Sequence, residues 1–115
     1  MLNKYDQKNI AAIKSMAQKV FGQNCTLGEI QLLDRPFTEF EWTMKLYDRF
    51  EVLITYDRSI IGINVKVNGD FINLRKLTSK EIKKGFDSSK QENIFYNFKL
   101  LDEVLKDMEK RVGRF

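Results

Sequence analysis

Asp34, Glu39 and Glu41 lie close together in the chain and are the residues whose types would suit general acid–base chemistry, one carboxyl protonated and one ionised. Such a pair works only when burial or mutual coupling pushes the two acidities apart. The surrounding sequence reads as a loop and a strand edge, so solubility is the expected role of all three. Cys25 is the sole cysteine. It follows the end of a helical pattern instead of opening one, so no helix dipole activates its thiol, and an inert thiol is expected. Histidine is absent, which removes the commonest general base, the commonest zinc ligand and the Ser-His and Cys-His dyads together. A zinc site would need carboxylates alone. No nucleophile elbow, P-loop or dinucleotide fingerprint occurs, and the six glycines are scattered. The expectation is a non-enzyme with no catalytic residue, cofactor or metal.

Binding chemistry is better represented. The stretch RKLTSKEIKK, residues 75–84, holds Arg75, Lys76, Lys80, Lys83 and Lys84 against a single Glu81. If residues 79–86 are helical, Lys80, Lys83 and Lys84 share one face at i, i+3 and i+4. With Lys66 and Phe71 on a neighbouring sheet face, they would make a basic, aromatic surface of the kind that stacks and neutralises single strands. A solvated helix face is the plainer account of the same lysines.

These side chains must be positioned by elements that the periodicities supply. Ile10, Ile13, Ala17 and Val20 predict a helix over Asn3 to Phe21, capped by Asn3 or Asp6 and ended by Gly22. TLGEIQLLD predicts a short strand, and Pro36, the only proline, an irregular connection. From Phe40 the period becomes two: Phe40, Trp42, Met44 and Leu46 share a face, then Phe50, Val52, Ile54 and Tyr56, then Ile61, Ile63, Val65 and Val67. Asn68-Gly69 is a hairpin turn, and Ile72 and Leu74 point inward from the strand after it. Tyr-Asp-Arg occurs twice, at 47–49 and 56–58, where one alternating run ends and the next begins. In a meander successive turns lie at opposite ends, roughly 23 Å apart, so the two copies are sheet punctuation and not one site. Thr78-x-x-Glu81 and Ser89-x-x-Glu92 have capping-box form and predict a short helix over about 79–86 and a long one over about 90–112. The long helix carries the stripe Ile94, Phe98, Leu101, Leu105, Met108 and Val112, stops at Gly113, and pairs Asp102 with Lys106 and Asp107 with Arg111 on its wet side.

The chain therefore predicts a single α+β domain over residues 1–115. It has an antiparallel β-meander of four to five strands, with an N-terminal helix and a C-terminal helix pair packed on one face. At 115 residues it can bury a core without disulfides or metals. With 43% hydrophobic and 31% charged residues it resembles a folded soluble protein. No apolar run approaches the ~20 residues of a membrane span, and the N-terminus has no signal-peptide core. A cytoplasmic location is expected, and the richness in Lys, Asn and Ile suits an AT-rich bacterial or phage genome. The net charge of +4 permits an acidic or nucleic-acid partner without requiring one.

Alternation places Tyr47, Leu53, Ile60 and Phe71 on the outer sheet face, an apolar scatter among charges that suits a protein partner. The first functional expectation is a small intracellular protein that covers a surface on another protein, as an inhibitor, immunity or mobile-element accessory protein does. The alternative is nucleic-acid binding through Lys66, Arg75, Lys76, Lys80, Lys83 and Lys84. A monomer or homodimer suits either.

Overall fold

A computed structural model describes residues 3–33 and 38–112, with Val112 as backbone only. Asp34, Pro36 and the Gly113 helix stop lie outside the described residues. The protein is α+β: helix α1 (Lys4–Phe21), strands β1 (Cys25–Leu32), β2 (Glu39–Leu46), β3 (Phe50–Asp57), β4 (Ile60–Val67) and β5 (Asp70–Asn73), and helix α2 (Gln91–Val112). The strands form one antiparallel sheet in the order β1-β2-β3-β4-β5, a meander without crossovers.

Local chemistry accounts for most of these boundaries. The Asn3 side chain accepts a hydrogen bond from the Asp6 amide at 2.7 Å and so caps α1, leaving Asp6 for another role. In the β4–β5 turn Asn68 and Gly69 have φ of 53° and 90°, the left-handed pair that Asn-Gly tolerates best. The β3–β4 turn reaches the same geometry with Arg58 and Ser59, at φ 49° and 72°. One face of the sheet is apolar as the alternation requires: Phe40, Trp42, Met44, Leu46, Phe50, Val52, Ile54, Tyr56, Ile61, Ile63 and Val65 are all buried. Phe40 and Tyr56 stack across the β2–β3 pair at 4.5 Å between ring centres.

Both helices cover that face, side by side, with Phe21 of α1 against Phe98 of α2 at 6.0 Å. From α2 the buried apolar residues are Ile94, Phe98, Leu100, Leu101, Val104 and Leu105. The expected pairs Asp102–Lys106 and Asp107–Arg111 form, at 3.0 and 2.9 Å. Asp102, however, is buried and not on the wet side.

The C-terminal helix pair is corrected to one helix preceded by a strap. Between β5 and α2 the chain makes a 3-10 turn at Leu74–Lys76, an irregular run, and a second 3-10 turn at Gly85–Ser89. Three causes oppose a helix over 79–86. The Thr78 hydroxyl accepts from the Lys80 amide at 3.1 Å, a local turn in place of a cap. Ile82 is the only large apolar side chain from 79 to 85, so a helix there has no stripe to bury. Finally, Asn97 of α2 holds the strap by its backbone: its amide oxygen accepts from Lys83 N–H and its amide nitrogen donates to Lys83 C=O, both at 2.9 Å.

Candidate partner-binding face

With both helices on one side, no helix covers the other face of the sheet among the described residues. Its centre is uncharged. Leu53 of β3 stands between Thr43 of β2 and Asn64 of β4, its register partners. The Asn64 side chain donates to the Leu53 carbonyl at 3.2 Å and accepts from Asn73 at 3.4 Å, so the row is fixed laterally. One step along, Thr55 faces Gly62, where an added Cβ would lie 2.5 Å from the Thr55 hydroxyl. Gly62 is needed for this close approach, and the surface there stays low and flat.

Larger apolar groups stand at the two ends of this central row. Ile60 is 37% exposed at the start of β4 and Phe71 is 42% exposed on β5. Charges lie around them in fixed pairs: Lys66 with Glu51 at 3.0 Å, its ammonium 5.9 Å from the Phe71 ring centre, and Arg58 with Asp57 at 2.9 Å. A shallow groove of about 410 Å³ runs across the face beside Gly28, Thr43, Lys45, Glu51, Lys66 and Phe71. The arrangement presents an apolar and hydroxyl-bearing centre inside a charged border.

Of the four residues expected on this face, Leu53, Ile60 and Phe71 are there. Tyr47 is not. The β2–β3 connection is a three-residue loop in which Tyr47 and Asp48 take φ of 57° and 52°, and this ends the alternation that would have turned Tyr47 outward. The ring meets Phe21 edge-on at 6.2 Å, and the hydroxyl donates to Asp102 of α2 at 2.5 Å. Burial, with that hydrogen bond and the Asp102 charge behind it, pushes the phenol pKa up to about 12.

Tyr56, in the second copy of the tripeptide, is an inward strand residue whose hydroxyl donates to Asp6 of α1 at 2.7 Å and accepts from Asn9 at 2.9 Å. The two tyrosines thus sit at opposite ends of the sheet, as a meander requires, and each ties one helix to it. Sequence reading missed this role because the partner aspartates lie 50 and 55 residues away in the chain.

The alternative, basic site is dispersed. Without a helix at 79–86, Lys80, Lys83 and Lys84 share no helical face. Lys80 pairs with Glu103 at 2.9 Å, which raises its pKa, and Lys83 sits 5.0 Å from the Tyr96 ring centre. Lys66 is paired on the sheet face. Arg75, Lys76 and Lys84 are exposed and make no ion pair among the described residues. Phe86, 73% exposed beside Lys84, was not singled out by its sequence context.

Glu39 and Glu41 alternate on β2 with the buried Phe40 and Trp42 and are partly exposed, Glu39 opposite Asp57 and Glu41 opposite Thr55. Burial raises the Cys25 thiol pKa, which disfavours a reactive thiolate. Among the described residues no three His, Cys, Asp or Glu side chains converge to hold a metal ion, and no helix is long and apolar enough to cross a membrane. The chain matches no protein-family model, no curated protein and no solved structure.

Proposed function

We propose that this protein is an intracellular, non-enzymatic binding module that covers a surface of another protein with its open sheet face. The carrying observation is the uncharged row of Thr43, Leu53 and Asn64 with Thr55 and Gly62 beside it, flanked by the exposed Ile60 and Phe71 and bordered by charges that include the pairs Lys66–Glu51 and Arg58–Asp57. Size is consistent with this. Five strands ~4.8 Å apart and up to eight residues long span roughly 19 by 26 Å, on the order of 500 Å². With the flanking turns this approaches the ~800 Å² per partner of an ordinary stable complex. Inhibitors, immunity proteins and accessory proteins of mobile elements act by this kind of coverage, and a cytoplasmic site of action fits the free thiol.

The test is a pull-down split into nuclease-treated and untreated halves, run with wild type, Leu53→Asp and the pair Arg75→Glu/Lys84→Glu. A stoichiometric protein that survives nuclease, is lost with Leu53→Asp and is kept by the charge-reversed pair is the expected result. Retention that disappears with nuclease and with the charge-reversed pair would instead favour the nucleic-acid reading at Arg75, Lys76 and Lys84.

A further inference from the structure

Helix α1 turns a single-sign face to solvent. Lys4, Lys8, Lys14 and Lys19 are all exposed, and the only acid in the helix, Asp6, is buried beneath it. Helix α2 differs: acids stand among its cations, and two of its four cations are paired with them, Lys106 with Asp102 and Arg111 with Asp107. Lys4, Lys8 and Lys14 have no ion pair among the described residues, and Lys19 has only the Phe95 ring, 5.2 Å away. Helix stability does not explain the pattern. Lys4 is the first residue of α1 and Lys8 lies just beyond its first turn, at the end where the helix dipole disfavours cations.

The middle of the same face is small. Ala11 and Ser15 lie between Lys8 and Lys19, and a groove of about 530 Å³ runs alongside, with Lys8, Ala12 and Ser15 on one wall and Lys90 and Glu92 on the other. Tyr5, 57% exposed, stands at its mouth. From Lys4 to Lys19 the row is about 22 Å long at ~1.5 Å per residue, the length of six to seven base pairs at ~3.4 Å each.

We propose that this face of α1 binds nucleic acid through its phosphate backbone, without reading sequence. Four unpaired or weakly held cations release counterions from a polyanion, and the small central residues let the strand approach closely. An anionic membrane is disfavoured because, among the described residues, no large aliphatic side chain stands on this face to enter it. The face lies on the far side of the molecule from the open sheet, so a protein and a nucleic acid can be held at once.

The experiment is fluorescence anisotropy with a labelled 20-base-pair duplex and a labelled 20-nucleotide single strand, at 50 and 200 mM salt. It compares wild type, Lys8→Glu/Lys19→Glu on α1 and Lys99→Glu/Lys110→Glu on α2. Both pairs remove four units of net charge, so they separate position from total charge. Four phosphate contacts predict a loss of affinity on the order of a hundredfold across that salt range for the duplex. The α1 pair is expected to weaken binding at least tenfold at 50 mM, and the α2 pair by less than about twofold. Circular dichroism checks that the variants fold, and Lys4→Gln/Lys14→Gln replaces the α1 pair if that pair does not. Absence of binding at 50 mM, equal losses from the two pairs, or equal affinity for polyglutamate or anionic vesicles would overturn the proposal.

Discussion

Tyr56 donates its hydroxyl to Asp6, a carboxylate only 4% exposed whose second oxygen, Oδ2, has no hydrogen-bond partner among the described residues. Tyr56→Phe removes a charge-assisted bond and leaves that carboxylate buried and poorly satisfied, a loss of about 2–3 kcal/mol. Urea unfolding of the variant checks this. Tyr47→Phe should cost less, about 1 kcal/mol, because Asp102 keeps Lys106 at 3.0 Å. Tyr47 makes a second expectation, in pH. Its folded pKa of about 12 lies above the unfolded value near 10, so the folded state holds the proton more tightly. That contribution is complete below pH 10 and is lost as the pH rises from there through about 12. Tyr56 is raised in the same direction, mainly by burial. Urea midpoints between pH 9 and 12 should therefore fall with pH, and fall less in Tyr47→Phe. A wild-type midpoint that rises over this window would contradict the assignment.

At the scale of elements, the sheet was legible because three strands alternate strictly and two-residue turns separate the later ones. Burial on one face imposed a period of two that no other structure would satisfy. The side on which Tyr47 falls was not legible, because the positive φ of Tyr47 and Asp48 in the loop cancels the alternation. The 79–86 segment misled for a different reason. Thr78 and Glu81 have capping-box spacing, yet a cap stabilises only a helix that packing already favours. What holds the segment is Asn97, which comes later in the chain and bonds to backbone, leaving no trace in the strap's own sequence. Asn97→Ala should cost about 1–3 kcal/mol through two lost bonds at a buried site. Amide exchange at Ile82–Lys84 should quicken while exchange in β2 and β3 keeps its wild-type protection. Uniform acceleration across the sheet would mean that the strap is part of the global unfolding unit.

For the whole molecule, the candidate faces were only partly readable. Leu53, Ile60 and Phe71 could be placed on one surface from register alone, but nothing in the sequence marks out the lysines of α1, whose lack of ion-pair partners among the described residues shows only in the structure. The layered build also sets what a surface substitution can do. Leu53→Asp lies on the uncovered face and should lower stability by roughly 1 kcal/mol, as a change of strand preference in a central strand does. Phe98→Ala, fully buried between the layers, should cost about 3–5 kcal/mol. Thermal melts of the two variants check the contrast, and a Leu53→Asp variant as damaged as Phe98→Ala would mean that the open face is structural. The two tyrosine ties have a consequence in time as well. Both docking posts stand on one hairpin, Tyr47 in its loop and Tyr56 near the far end of β3, while the aspartates they hold belong to the first and last helices. Pairing of β2 with β3 sets the spacing of both posts, which predicts that the central hairpin forms early and the two helices dock late. Substitutions in that hairpin should slow refolding, whereas Asp102→Asn should mainly hasten unfolding.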